Sequence, residues 1–411
     1  MTNKKPFPLL ILSDAPSATS GLGRITKDLA MHIHEHMGDV CRVATLGYGG
    51  PGSNKLGFSQ YVIEGMSDWV IPTLPQVWED FAGQEIGAIL TIWDASRLTW
   101  FSQPGRCELL ASNPVLRTWL QQTPFQRWGY FPLDAEGHGG KLSFPLQQTL
   151  LGFDRILAYG HWAKDLIEQS IGSTEAAKRD LDSLPHGIDT EVFYEENRLL
   201  CRQLFYKLTG AQTMKQTHPP ITEDTLLIGI VATNQNRKDW ALGIETVALE
   251  AKNRKVLLWI HTDQLERSCS IPALLIDHGL LDKAVVSLGY LSDERMAQAY
   301  SACNVTLGIG SGEGFGYPLA ESLACGTPVL HGNYGGGAEI IPEEMRIEPI
   351  AYRSEGLYSS RRPVFDPQDW ADRVEQYSDQ RTALDAQYAW SNLWPRWHAW
   401  IERGMEHKHE S

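Results

Sequence analysis

Short apolar runs alternate with amphipathic stretches along most of the chain. PLLILS, AILTIWDA and RILAYG have the length of buried strands, whereas GRITKDLAMHIHEHM repeats its apolar residues at helical spacing. A second alternating series begins at LLIGIVAT. Strands and helices that alternate in this way form parallel sheets covered by helices on both faces. The pattern therefore predicts an α/β protein with two Rossmann-like, doubly wound units.

A polar stretch with the pair Pro219 and Pro220 separates the two series. Placing the junction before the helix that precedes this stretch predicts domains of residues 1–194 and 195–375. The remaining tail, residues 376–411, is predicted to be helical, and its many tryptophan rings need a surface to cover. That helix either packs on its own domain or crosses back to the N-terminal one.

Composition narrows the class of protein. The chain has 411 residues, a net charge of −14 and six cysteines that are scattered singly. Single cysteines disfavour a zinc site or a disulfide framework, and the acidic balance disfavours general attraction to nucleic acid or anionic membranes. The early apolar run, Pro8–Ser13, is too short for a signal peptide or a transmembrane segment and is interpreted as a strand. We therefore expect a cytoplasmic protein.

The most informative segment runs from Val305 to Leu330, where a strand pattern leads through a glycine-rich loop into a helix. Bare backbone amides at a helix N-terminus favour an anionic diphosphate or an array of sugar hydroxyls. Glu313, in the loop, can accept hydrogen bonds from sugar hydroxyls. Glu321, one helical turn in, can accept from both hydroxyls of a ribose.

Two glutamates separated by seven residues, followed by Gly-Thr-Pro-Val, resemble the signature of family 4 of the retaining GT-B glycosyltransferases, the glycosyl transferases group 1. The resemblance extends over most of the chain. It implies a GT-B fold, with two facing Rossmann-like domains, and transfer of a sugar from a UDP-sugar or GDP-sugar with retention of its anomeric configuration. It also implies that Gly314, Phe315 and Gly316 contact the donor.

Two cations follow the first strand of the second series, in VATNQNRKDW. Arg237 and Lys238 could grip the donor diphosphate and neutralise its charge as it leaves. Relatives usually carry an arginine where this chain has Thr233, and Arg237 could take its place. With these cations no metal ion and no cofactor is predicted.

Two other segments resemble donor-binding loops of the family. Gly21 and Gly23 precede a predicted helix after the first strand, where relatives approach the donor phosphates. Gly289, Tyr290 and Leu291 follow a later strand and would present backbone groups and an apolar wall to the donor base. Since main-chain groups would meet the base, the sequence does not distinguish uracil from guanine.

The acceptor is left open by the sequence. Asp134 follows a predicted strand and could orient an acceptor hydroxyl or take its proton, or it could cap the next turn. The rings of TIWDASRLTWF could form an aromatic wall, although core packing is their more usual role. A small molecule, a glycan, a protein or a modified nucleic-acid base would each fit as acceptor. The alternatives to a transferase are a nucleotide-sugar epimerase and a nucleotide-sugar-binding protein that has lost catalysis.

Overall fold

The computed structural model describes residues 5–50, 52, 54–64 and 70–406. Residues 1–4 of the predicted first domain and 407–411 of the predicted tail lie outside the described residues. The chain divides into two compact units: Met1–His186 together with Leu393–Ser411, and Gly187–Asn392.

The elements of the first unit follow one another in alternation. They are β1 (Phe7–Asp14), α1 (Gly21–Met37), β2 (Cys41–Gly49), β3 (Ser59–Glu64), α2 (Val70–Phe81), β4 (Gly87–Thr91), α3 (Thr99–Ser102), α4 (Pro114–Gln122), β5 (Phe125–Phe131), α5 (Phe144–Leu150), β6 (Arg155–Ala158), α6 (His161–Ile171), α7 (Ser173–Lys178) and β7 (Asp182–Ser183).

The second unit repeats the alternation and adds a hairpin. Its elements are α8 (Arg198–Thr209), β8 (Leu226–Val231), α9 (Trp240–Glu250), β9 (Val256–Thr262), α10 (Ile271–Asp277), β10 (Ala284–Leu288), α11 (Asp293–Ala302), β11 (Val305–Gly308), α12 (Tyr317–Ala324), β12 (Val329–Gly332), α13 (Gly337–Ile340), β13 (Arg346–Ile347), β14 (Ala351–Glu355), β15 (Ser360–Val364) and α14 (Pro367–Tyr377). The last helix, α15 (Trp390–Glu406), begins in the second unit.

Each unit is built on one parallel sheet. The first sheet has seven strands in the order β3-β2-β1-β4-β5-β6-β7, and the second has six in the order β10-β9-β8-β11-β12-β13. In both sheets the first strands follow one another toward one edge, and the later strands are added on the other side of the first strand. The strand order therefore reverses between β1 and β4 in the first sheet and between β8 and β11 in the second. Ligands of such sheets bind outside the carboxyl ends of the strands at this switch point.

The apolar runs of the sequence become strands that are buried on both faces. Leu9–Leu12 of β1 are fully buried, because helices cover the two sides of the sheet. The helix α1 buries Ile25, Leu29 and Ile33, which share one face at a spacing of four residues. Trp100 and Phe101 also lie in the core of this unit. The predicted α/β fold of two doubly wound units is confirmed.

The C-terminal helix α15 crosses back to the first unit, to which it belongs from Leu393 on. The buried Arg155 at the start of β6 donates to the carbonyl of Trp400 at 2.9 Å, and its guanidinium lies 4.1 Å from the centroid of that ring. A Cβ on Gly404 would lie only 2.1 Å from the same guanidinium, so the helix approaches this closely only because residue 404 is glycine. Of the two placements that the sequence left open for this helix, the structure shows the one in which it crosses back to the N-terminal domain.

Among the described residues, the helices are all too short or too polar to reach across a lipid bilayer.

Trp400→Ala should lower the free energy of unfolding by about 3–5 kcal/mol, because it removes a fully buried ring that packs on Trp128 and on the Arg155 guanidinium. Urea unfolding followed by circular dichroism measures the change. Glu402→Ala on the same helix, with a side chain that is 57% exposed, is the control and should change little. Identical unfolding midpoints for Trp400→Ala and the unmodified chain would contradict this account of the helix.

Candidate functional site

The loops that follow β8 and β11 are joined by backbone hydrogen bonds at the switch point of the second sheet. Lys238 and Gly310 form an isolated antiparallel bridge between them. The Ser311 amide donates to the Arg237 carbonyl at 2.8 Å, and the Asp239 amide donates to the Ile309 carbonyl at 2.8 Å. The segment with the two cations and the glycine-rich loop, both identified in the sequence, are therefore held together by backbone hydrogen bonds.

Glu313 forms ion pairs with both predicted cations, Arg237 and Lys238. Its Oε2 accepts from Nη1 of Arg237 at 2.8 Å, and its Oε1 accepts from Nζ of Lys238. The side chains of Glu313 and Lys238 are nearly buried, whereas that of Arg237 is 30% exposed. Removing one partner of a buried ion pair leaves a charge without compensation, which makes such clusters costly to break.

Glycine is required where the loop turns tightly around this carboxylate. A Cβ on Gly310 would lie 2.5 Å from Oε1 of Glu313. Gly316 precedes α12 with a φ of +91°, a left-handed conformation that other residues rarely adopt. Pro318 follows in the first turn of the helix, as predicted for a helix start. The loop residues Gly314 to Gly316 thus carry the chain from Glu313 into α12.

Glu321 is buried within α12, where its Oε2 accepts from the hydroxyl of Tyr300 at 3.0 Å. Tyr300 lies on α11 and lines a small cavity together with Lys238 and Glu313. The sequence analysis missed Tyr300, because an aromatic residue on the apolar face of a helix indicates core packing. Its hydroxyl links Glu321 to the wall of this cavity.

His331, at the end of β12, is a second residue that the sequence analysis missed. It is fully buried, and its Nδ1 donates to the carbonyl of Gly308. Burial, with a smaller effect of the positive charges of Lys238 and Arg237, lowers its pKa to about 4 against the opposing effect of that hydrogen bond. The ring is therefore neutral at physiological pH, and its Nε2 has no hydrogen-bond partner among the described residues.

Asn234 anchors the loop that carries the two cations. Its side chain is fully buried, donates to the carbonyl of Cys269 at 2.9 Å and accepts from the Cys269 amide at 3.3 Å. Its own amide donates to Oδ1 of Asp263 at 2.8 Å. Thr233, where relatives carry an arginine, is exposed. Asn234, and not residue 233, therefore makes the hydrogen bonds that hold the loop after β8, and nothing in the sequence signals this role.

The loop predicted to hold the donor base follows β10, two strands away from β8 on the same edge of the sheet. Gly289 has a φ of +82°, and its amide donates to the carbonyl of Thr262. Tyr290 is 73% exposed and Leu291 is half-buried. Neighbouring strands are about 4.8 Å apart, which places this loop on the order of 10 Å from the loop after β8.

The two glycines predicted in the first unit lie inside a helix and not before it. The helix α1 begins at Gly21, and the Gly23 amide donates to the Ser20 side chain that caps it, at 3.0 Å. A Cβ at Gly23 would lie 2.6 Å from the carbonyl of Ala18, so glycine is needed here for close approach to the preceding loop. Glycine usually ends helices, which is why the sequence suggested a loop.

Asp134 lies three residues after β5 in the first unit and is half-buried. It belongs to the carboxyl edge of the first sheet, and the cluster around Glu313 belongs to that of the second. In the part of the chain that the structure describes, histidine, cysteine and carboxylate side chains do not gather into a group of three that could hold a metal ion.

Asn234→Ala should lower the free energy of unfolding by about 1–3 kcal/mol, because it removes the hydrogen bonds that this fully buried side chain makes to the Cys269 backbone. Thermal or urea unfolding measures this. Asn236→Ala, two residues away on the exposed side of the same loop, is the matched control and should leave stability within about 0.5 kcal/mol. Equal losses in the two variants would show that the anchoring assigned to Asn234 is wrong.

His331 should make the folded chain less stable in acid. Its pKa is about 4 when folded against 6.5 in the unfolded chain, so between these pH values only the unfolded chain takes up the proton, and stability falls as the pH falls. His331→Gln should recover up to about 3 kcal/mol of that loss at pH 4, measured by urea unfolding from pH 7 to 4.

The exposed His138→Gln is the control for this titration and should follow the unmodified chain. Parallel stability curves for the unmodified chain and His331→Gln between pH 7 and 4 would contradict the role of His331.

Part of the second unit is similar to a known protein family. Residues 215–356 match the family described as "Glycosyl transferases group 1". The serotype-specific mannosyltransferase WbdA of Escherichia coli is 20% identical over 187 residues, which are 46% of this chain and 22% of WbdA. The match thus covers about a fifth of the length of the curated relatives.

Solved structures show the same fold over nearly the whole chain. Sucrose-phosphate synthase from Thermosynechococcus elongatus superimposes with a TM-score of 0.67 and 14% identity, covering 97% of this chain and 99% of that one. HepE of Anabaena, in complex with UDP and glucose, gives a TM-score of 0.64 and 12% identity over 97% and 99% of the two chains. The predicted resemblance to the glycosyl transferases group 1 is confirmed over residues 215–356, and the chain has the GT-B fold.

Proposed function

We propose that this protein is a retaining glycosyltransferase that moves a sugar from a nucleoside diphosphate sugar, with uridine or guanosine as the base, to an acceptor hydroxyl. The observation that carries the proposal is the convergence of Arg237 and Lys238 on Glu313 at the switch point of the second sheet. The group 1 domain, the similarity to a mannosyltransferase and the fold shared with a protein that binds UDP and glucose support it.

The two cations would stabilise the departing diphosphate. Charge that develops on the leaving group is stabilised by donors already in place, most strongly where water is excluded, and Lys238 is only 10% exposed. A diphosphate would attract both cations and leave the oxygens of Glu313 to accept hydrogen bonds from the sugar. With two cations supplying the charge, the proposed reaction needs no metal ion.

The remaining groups of the second unit would hold the nucleotide. Glu321 would accept from the ribose hydroxyls with Tyr300 beside it, and the amides of Gly314, Phe315 and Gly316 would meet the phosphates at the start of α12. The residues Gly289 to Leu291 would contact the base.

The first unit would supply the acceptor side. In a front-face reaction the bond from the anomeric carbon to the diphosphate breaks while the acceptor oxygen bonds to the same face of that carbon. Asp134 would orient the acceptor hydroxyl or take its proton. The first turn of α1, with Gly21 and Gly23, would approach the donor phosphates.

Lys238→Ala and Glu321→Ala should each reduce turnover in a panel of uridine and guanosine diphosphate sugars. We expect a loss of about 10²–10³-fold in kcat for Lys238→Ala, since it removes a cation from the leaving group, and mainly a higher donor KM for Glu321→Ala, since it removes ribose contacts. Nucleotide release and mass spectrometry of the labelled acceptor are the measurements. Lys252→Ala, an exposed lysine just after α9, is the control.

Unaltered turnover in both variants would rule out the assigned site. Nucleotide sugar that raises the melting temperature while no acceptor is labelled would favour a binding protein without catalysis. Conversion of the donor sugar without release of free nucleotide would favour an epimerase.

A further inference from the structure

A cavity of about 650 Å³ opens in the first unit between the end of α2 and α4. Its wall includes Gly83 and Gln84, which precede β4, and Thr123 and Pro124, which precede β5. The cavity therefore lies at the amino edge of the sheet. Asp134 follows β5 at the carboxyl edge, and the seven residues of β5 separate the two edges by about 20 Å. The cavity is thus separate from the candidate site residues of this unit.

Two tryptophans give the cavity an aromatic wall. Trp78 on α2 and Trp119 on α4 both line it, and their ring centroids lie 5.4 and 5.5 Å from that of the buried Phe125. Trp78 is 1% exposed, whereas Trp119 is half-buried. Because packing on the Phe125 ring holds Trp119 in place, its surface is ordered before a ligand arrives, which lowers the entropic cost of binding.

Uncharged polar side chains surround these rings. Val115, Thr118, Trp119 and Gln122 follow one another at helical spacing, so α4 presents them on one face, and Gln84 lines the cavity from the end of α2. Gln84, Thr118 and Gln122 are exposed, and within the described part of the chain their side chains form no hydrogen bond with another protein group. Amides and hydroxyls both donate and accept. The cavity therefore offers available groups of both kinds beside an aromatic surface.

The charge and polarity of the lining narrow the class of ligand. Of the described residues that line the cavity, Glu79 is the one that ionises, and it is exposed. Its carboxylate would repel a phosphate or an acidic ligand but accepts hydrogen bonds from hydroxyls. A purely apolar ligand would strip water from the amides and hydroxyls without replacing their hydrogen bonds. A proline-rich peptide would satisfy only their donors, because proline has no backbone N–H.

We infer that this cavity is an additional binding site for a neutral glycan chain, at the opposite edge of the first sheet from Asp134. The C–H groups on one face of a sugar ring pack against an aromatic ring, and its hydroxyls both donate to and accept from the surrounding side chains. The volume is within the range of roughly 300–1,000 Å³ found for ligand pockets. The inference goes beyond the proposed function, since the cavity would bind a glycan whether or not the chain transfers a sugar.

Trp119→Ala and Gln122→Ala test the site in the full-length chain. Calorimetric titration with maltohexaose, mannohexaose and xylohexaose should show that at least one of them binds the unmodified chain. Its affinity should fall about tenfold in Trp119→Ala, which loses the aromatic surface, and about threefold in Gln122→Ala, which loses a hydrogen bond. Gln121→Ala, at the exposed neighbour outside the cavity lining, is the matched control and should bind like the unmodified chain.

Melting temperatures separate a lost site from a lost fold. Trp119 packs on Phe125, so Trp119→Ala should lower the melting temperature, whereas Gln122 is exposed and Gln122→Ala should melt like the unmodified chain. Weaker glycan binding in Gln122→Ala at an unchanged melting temperature is therefore the result expected from a binding site.

Equal affinity in the unmodified chain and both variants would overturn the site, as would no binding signal from any of the three glycans. Binding of decaproline that depends on Trp119, without glycan binding, would overturn the saccharide class. Self-association in sedimentation that Trp119→Ala abolishes, again without glycan binding, would make this face a contact between copies of the chain. If sugar transfer is never seen while glycan binding still depends on Trp119, the glycan site stands and the transferase proposal falls.

Discussion

The interaction on which the second unit depends is the sharing of one buried carboxylate, Glu313, between Arg237 and Lys238. A nearly buried charge is tolerated only where its partners are held in place. Here the two cations lie on a loop whose backbone is hydrogen-bonded to the loop that carries Glu313. The side chain of Asn234 also holds this loop to the segment after β9 by a hydrogen bond. The rigidity of the site therefore comes from loops that fix each other.

In both units the candidate site residues lie at the carboxyl edge of a parallel sheet. In each sheet the strand order reverses beside the first strand. Ligands of doubly wound sheets bind at such a point, outside the carboxyl ends of the strands. The second unit fills this edge with two cations and two glutamates, which suits an anionic, sugar-bearing donor.

Sequence reasoning succeeded where local pattern determines structure and failed where distant loops meet. The buried run of Leu9 to Leu12 could only be a strand covered on both faces. The helix start at Gly21 was misjudged, because the Ser20 cap and the close approach at Gly23 outweigh the poor helix propensity of glycine. Tyr300 and His331 went unnoticed, since their roles depend on partners on other elements.

The amino-acid sequence by itself determined the alternation of strands and helices, the glycine loop before α12 and the residue types suited to a nucleotide sugar, because these depend on neighbours within a few positions. Only the tertiary structure decided that Glu313 lies between both cations and that α15 crosses back to the first unit. Those outcomes depend on strand order and register, which bring residues far apart in the chain to one edge of a sheet.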